Sequence, residues 1–361
     1  MEEKGKKGRM DYTLLLIVVL LVVIGLVILY STSAYNGQVK FHDSFYYLKK
    51  QAFATVLGIV LMLFVAGMDY HIWQRLAVFG YLAAVALSVA VMLFGREING
   101  SKRWLALGPF SFQPSEFAKV ALILFLADLV TKNVKTIGKM WTLCRIMFWI
   151  LPIVGLVGAS NLSTAIIILG IGVILIFVAS PKYVQFALMG IAGACFMGIF
   201  LALESYRLER LAIWRNPEKY EKGYQTLQGL YAIGSGGVFG VGIGNSVQKL
   251  GFVPEAQNDM IFSIICEELG LAGAGIIVFL FLLLIWRFFL IASGSRDLFG
   301  ALIATGAMAH MMIQVILNIA VVTNTIPNTG ITLPFISYGG TSVMFLLIEM
   351  GLVLSVSQVV D

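Results

Sequence analysis

Few side chains in this sequence can move a proton or hold a charge, and the most conspicuous of them is Asp259. It ends the run VPEAQND, entered at Pro254, and is followed at once by the apolar stretch MIFSIICEELG. Two duties fit a carboxylate there. It can cap the following helix by accepting from its exposed N–H groups. It can also act as a general base, because desolvation raises a carboxyl pKa while the positive end of a helix lowers it. Ser263 and Glu267 follow at i+4 and i+8 and share its face. Glu267 and Glu268 fall inside the apolar segment, where a carboxylate is costly and faces a partner or a water-filled cavity.

Three further groupings deserve weight. In NGSKRWLALGPFSFQPSEFAK, Glu116 and Lys119 are three residues apart and so neighbours on a helix. They either pair with each other or line a cavity in which Lys119 meets an anionic group. Lys102 and Arg103, beside Trp104, suit a phosphate-bearing ligand at an interface. In HMMIQVILNIAVV, His310, Gln314 and Asn318 recur every four residues, a polar stripe for interhelical hydrogen bonds or a polar cavity. The glycines of GSGGVFGVGIGN match a dinucleotide loop only weakly, since no strand precedes them. They read better as a tight turn whose backbone packs closely or approaches a ligand.

The elements that position these residues are membrane spans. Of 361 residues, 59% are hydrophobic and 12% charged, with mean hydropathy +0.92; a soluble domain carries roughly 25% charged residues. The apolar runs give about ten spans of ~20 residues, near 12–33, 45–66, 73–94, 114–131, 143–159, 162–180, 184–203, 260–286, 298–322 and 340–358. The fold class is an all-α polytopic membrane protein, read as one transmembrane domain over 1–361. Lys and Arg in the short loops place both termini in the cytoplasm. The net charge of +6 reflects that loop bias and not a nucleic-acid surface. Cys144, Cys195 and Cys266 lack metal spacing and read as packing residues.

Three polar or irregular segments then fall on one outer face: Arg96 to Pro114, the loop of about 204–259 between spans seven and eight, and Thr323 to Gly340. The loop begins with Leu208, Leu211 and Trp214 at helical spacing. These form either a surface amphipathic helix or a continuation of span seven, ended by Pro217. Pro327, Gly330, Pro334 and Gly339 forbid a continuous helix before span ten, so a re-entrant segment is expected there.

Taken in order, NGSKRW, FSFQPSEFAK, GSGGVFGVGIGNS, PEAQNDMIFSIICEELG and TGITLPFISYGG resemble the SEDS proteins (shape, elongation, division and sporulation), the family of RodA, FtsW and SpoVE. The likeness runs the length of the chain. It implies a peptidoglycan glycosyltransferase that polymerises lipid II at the outer face of the bacterial cytoplasmic membrane. A class B penicillin-binding protein and other division or elongation membrane proteins are the implied partners. By the family motif Asp259 takes the place of the essential carboxylate. Glu116 and Lys119 take those of the functionally important pair. Substrate contacts are expected from Glu116, Lys119, Lys102, Arg103, Glu255, Glu267, Asn318 and Ser337. The departing pyrophosphate would meet outer cations or a divalent cation, Mg or Mn. Many relatives read QPDLGT where this chain has ASNLSTA, so Asn161 replaces an acidic residue; with the short tails, this leans toward the FtsW and SpoVE branch. A lipid II flippase and a non-catalytic scaffold for the transpeptidase are the competing functions.

Overall fold

The computed structural model describes residues 8–98, 101–107, 110–187, 190 and 212–359. Helix dominates because a chain this apolar must satisfy its peptide groups internally, and the helix does so within one segment. In chain order the long helices are α1 (Tyr12–Phe41), α2 (Tyr46–Gly67), α3 (His71–Phe94), α4 (Pro114–Asn133), α5 (Met140–Ser160) and α6 (Leu162–Ala179). After a shorter α7 (Tyr224–Ser235) come α8 (Ile261–Gly294), α9 (Leu298–Val322) and α10 (Gly340–Ser357). Eight helices are long and apolar enough to cross a membrane: α1, α2, α3, α5, α6, α8, α9 and α10. The protein is a multi-pass membrane protein.

The fourth expected span is α4, which carries Glu116, Lys119, Asp128 and Lys132. It runs through the centre, packed against α3, α5, α6, α9 and α10, and its charges are paired: buried Glu116 with Lys119, and buried Asp128 with the exposed Lys132. Outer helices instead turn Phe64, Phe79, Phe94 and Trp141 outward, as expected where the surrounding solvent is lipid. The seventh expected span, 184–203, and the helical pattern around Leu208 lie largely outside the described residues, as does Cys195.

Three departures from the sequence expectation shape the site. First, Arg96 to Pro114 is not simply irregular. It forms an antiparallel sheet of β1 (Arg96–Ile98), β2 (Ser101–Leu107) and β3 (Phe110–Phe112) in the order β1-β2-β3. The signal was present in the sequence: Asn99-Gly100 separates the first two strands, the pair most favoured between hairpin strands. Second, the large loop carries a further helix, α7, well after Pro217; residues 212–215, the described end of the expected helix, are helical and stop before Pro217, which opens a short 3-10 turn.

Third, α8 is not continuous. Gly270 takes φ 66° and ψ −169° inside it, breaking the helix soon after Glu267 and Glu268. The glycine-rich segment fills the break. Val241 and Gly242 donate to the carbonyls of Glu267 and Glu268 at 2.9 Å each, while Leu271 and Ala272 donate to the carbonyls of Gly237 and Val238 at 3.0 and 2.9 Å. Peptide groups that a break would strand in an apolar surrounding are thus paired. The glycines permit this contact. A Cβ on Gly240, whose φ is +77°, would meet the Glu268 carbonyl oxygen at 2.2 Å.

Gly240→Val should therefore cost about 2 kcal/mol or more and lower the melting temperature of the detergent-solubilised protein by several degrees. Gly234→Ala, where a Cβ meets nothing within 4 Å, should leave it unchanged.

Candidate functional site

Asp259 lies in the turn that leads into α8, yet it does not cap that helix. Met260 occupies the N-cap position, with no side-chain hydrogen bond, which removes the capping duty. The carboxylate is half-buried between α7 and the segment before α10. Gln225 of α7 brings Nε2 to 3.5 Å from Oδ1, and Gly330 is so close that a Cβ on it would lie 3.8 Å from Oδ2. Burial pushes the Asp259 carboxyl up from its ordinary 3.8 to about 6, and the neighbouring Glu255 carboxylate adds to the rise. The backbone amides of Asp259 and Met260 pull the other way. Glu255 adopts φ 53°, accepts a short hydrogen bond from Asn258 Nδ2, and closes the turn through its carbonyl to Asn258 N at 2.8 Å.

Clamps from four directions hold this turn. Asn318 of α9, fully buried, donates through Nδ2 to the Asp259 carbonyl at 2.9 Å and the Ile331 carbonyl at 2.7 Å. From α1, Asn36 donates to the Gln257 side chain at 3.1 Å. The Gln257 carbonyl accepts from Tyr338 N at 2.9 Å. Gln51 of α2 then fixes the exit, donating to the Ser337 carbonyl at 3.3 Å and accepting from Gly339 N at 3.1 Å. Ser337 Oγ accepts from Leu333 N at 2.8 Å, so its hydroxyl shapes the segment. That segment is non-helical and enters the bundle, with Leu333, Phe335, Ile336 and Ser337 buried.

Glu116 and Lys119 form a buried ion pair at 3.0 Å. Ser342 donates to Glu116 at 2.8 Å, and Lys119 donates to Gln314 Oε1 at 3.3 Å. Gln314 also contacts His310 Nε2 at 2.8 Å, and His310 Nδ1 meets Glu349 at 2.8 Å. Gln314 Nε2 reaches the Thr332 carbonyl at 3.0 Å. The stripe on α9 is thus an interhelical hydrogen-bond ladder. It runs from Glu349 to the Asp259 turn and joins the ion pair to the segment facing the carboxylate.

The remaining expected residues divide. Arg103 Nε donates to the Ser160 carbonyl at 3.0 Å, at the α5–α6 junction. Three residues on, Ser163 donates to the Thr329 carbonyl at 2.8 Å, next to Gly330 beside Asp259. Lys102 pairs with Glu97 across the β1–β2 ladder. Glu267 points away, to the Ser246 hydroxyl and to Val247 N at 3.0 Å, and so pins the glycine-rich loop. Glu268 does the same through Lys249 at 2.6 Å and Ser31 at 2.7 Å. Among the described residues no group of three or more His, Cys, Asp or Glu is placed to hold a metal ion. Gln225 and Gln257 also belong to the site, and the only signal for them in the sequence is position: Gln225 opens a helix-forming stretch and Gln257 lies two residues before Asp259.

Comparison with known proteins decides the family. The family model FtsW/RodA/SpoVE, described as cell cycle protein, matches residues 12–361. The chain belongs to this family. It is 39% identical to stage V sporulation protein E of Bacillus subtilis over 98% of both chains. It is 35% identical to the probable peptidoglycan glycosyltransferase FtsW of Trichlorobacter lovleyi, over 96% of this chain and 93% of that one. Among solved structures it resembles a chain of a peptidoglycan synthase complex that coordinates polymerization and crosslinking. The TM-score is 0.83 at 30% identity, over 96% and 97% of the two chains. The rod shape determining protein RodA of Thermus thermophilus is similar with a TM-score of 0.72 at 28% identity, over 96% of each chain. The helical membrane architecture shared with these structures is therefore the frame in which Asp259 is held.

A raised carboxyl pKa is also a statement about stability. The folded state holds the Asp259 proton more tightly than the unfolded chain. This group's contribution is therefore full below its ordinary value of 3.8 and lost as pH rises through about 6. Asp259→Asn should stabilise the purified protein at pH 8 by on the order of 1–3 kcal/mol, and the gain should vanish near pH 4. Thermal melting across pH measures it; a helix cap would show no such gain.

Proposed function

We propose that the protein is a peptidoglycan glycosyltransferase that polymerises lipid II at the outer face of the bacterial cytoplasmic membrane, with both its termini cytoplasmic. The observation that carries the reading is the Asp259 carboxylate. It is clamped through its backbone, half-buried, flanked by neutral amides and poised with a pKa of about 6, in a chain of this family.

In the reaction the 4-hydroxyl oxygen of the acceptor sugar attacks the anomeric carbon of the donor. The bond from that carbon to the lipid pyrophosphate breaks, and configuration inverts. Asp259 accepts the hydroxyl proton as general base, a contribution of about 10²–10⁴ in rate. Undecaprenyl pyrophosphate leaves with the bonding pair, which calls for positive charge. Arg103, on the far side of the contacts through Ser160, Ser163 and Thr329, is the proposed source, alone or with Lys102. Lys119 serves differently, since Glu116 neutralises it within hydrogen-bond reach. The pair holds Gln314, and through it the wall opposite Asp259. Glu255 and Asn318 act on the same carboxylate, the first by raising its pKa and the second by fixing its backbone. Ser337 shapes the re-entrant wall and Glu267 the glycine-rich loop.

A transpeptidase partner of the class B penicillin-binding type fits this reading, as the likeness to a chain of a polymerising and crosslinking complex supports. A flippase path would need the polar stripe of α9 open to a passing headgroup. In this structure His310, Gln314 and Asn318 are buried and hydrogen-bonded.

The test is glycan-strand synthesis from lipid II by the purified protein with its transpeptidase partner. Asp259→Asn should lower the rate by at least about 10²-fold; synthesis at the wild-type rate would sink the mechanism. Because the base works ionised, the wild-type rate should rise with pH through about 6 and level off above it. The acidic limb of the rate profile reads this directly.

A further inference from the structure

The helix α7 reaches the Asp259 carboxylate through Gln225 and carries a further exposed face. Gly229 and Ala232 are its buried positions, and a Cβ on Gly229 would come within 2.3 Å of Met260 Cε. So α7 lies tightly on the entry to α8, and its opposite side points away from the protein. Positions 224, 227, 228, 231 and 235 share that side by helical spacing. They are Tyr224, 43% exposed, then the partly exposed Leu227 and Gln228, Tyr231, 59% exposed, and the exposed Ser235. Gln225 joins this face to Asp259. Its amide nitrogen is 3.5 Å from the carboxylate and 3.3 Å from the Pro254 carbonyl, and its oxygen accepts from Asn328 Nδ2 at 3.3 Å.

The chemistry of the face is specific. Between Tyr224 and Ser235 the sequence has no Lys, Arg, Asp or Glu, although Glu218, Lys219, Glu221 and Lys222 precede it. The membrane-facing helices expose Leu, Val and Phe. This face instead sets tyrosine rings, an amide and a hydroxyl around a single partly exposed leucine, Leu227. Such a surface has no charge to hold a phosphate. It suits a ligand that offers apolar C–H faces to aromatic rings and hydroxyl or amide groups to glutamines. That is the chemistry of a sugar chain. Seven residues along a helix separate the two tyrosines by about 10.5 Å, close to the repeat of a β-1,4-linked disaccharide.

We propose that the outward face of α7, with Tyr224, Gln228 and Tyr231 entered past Gln225, is a subsite for a β-1,4-linked chain of N-acetylated hexosamines, holding the strand beside Asp259. It rests on the glycosyltransferase reading for its role but not for its measurement. The probe is a soluble hexamer of β-1,4-linked N-acetylglucosamine, bound to the full-length protein in nanodiscs and followed by saturation-transfer NMR. Wild-type protein should bind it, and Tyr231→Ala and Tyr224→Ala should each weaken binding about fivefold. Tyr231→Phe keeps the ring and should restore it. In synthesis assays the alanine variants should make shorter strands than Tyr231→Phe.

No binding by wild type, or equal binding by the alanine variants, overturns the subsite. So does unchanged hexamer binding accompanied by loss of the transpeptidase partner, which would assign the face to a protein. Unchanged hexamer binding with altered melting in lipid would assign it to the membrane interface, with the same consequence. Hexamer binding that depends on the tyrosines, in a protein that makes no strands from lipid II, would uphold the subsite and remove the polymerase.

Discussion

In a bilayer every peptide N–H and C=O needs a partner within the protein, and the break in α8 shows how much of this structure follows from that requirement. Gly270 interrupts a helix that would otherwise satisfy itself, and the glycine-rich loop supplies the missing partners. Once Gly237 to Gly242 are bonded into the gap, the chain beyond them is fixed as well. Glu267 grips Ser246 and Val247, Glu268 grips Lys249, and the turn holding Asp259 begins within a few residues. A backbone requirement in the helix is thereby converted into the position of a side chain.

Charge is handled by the same logic. Lys119 meets Glu116 and Lys249 meets Glu268, each inside the protein, and Glu267 meets a hydroxyl and a backbone N–H. Pairing offsets the desolvation that an isolated ion would suffer. Asp259 has only weak amide company and a second carboxylate nearby, so its ionised form is disfavoured. Lys119 and Lys249 each have a carboxylate partner, whereas Asp259 is left to desolvation, the kind of perturbed group that marks a candidate site for proton transfer.

How much of this was legible in the sequence depended on whether a feature is local. The apolar runs located α1 to α6 and α8 to α10 to within a few residues, except where α1 runs on to Phe41 and α8 to Gly294. Asp259, Glu116 with Lys119, and the stripe on α9 were visible because composition and spacing mark them. The break at Gly270 was not, since one glycine in an apolar run is compatible with a continuous helix. Only a segment some thirty residues away in the chain shows otherwise. Likewise Glu267 shares the face that follows Asp259 by counting, but a turn precedes the helix there and the carboxylate goes to the loop. The duty of Ser337 is local but equally silent: its hydroxyl accepts from Leu333 N within its own non-helical segment, a bond that residue types alone do not mark.

The glycine-rich loop also bears on how the protein comes to exist. During synthesis the loop emerges before α8, so the partners of Leu271 and Ala272 are already made when that helix enters the membrane. Neither piece is complete without the other: the helix cannot break at Gly270 until the loop is docked, and the loop has no ladder to join until the helix breaks. The break at Gly270 and the docked loop are therefore mutually dependent, since each satisfies peptide groups of the other.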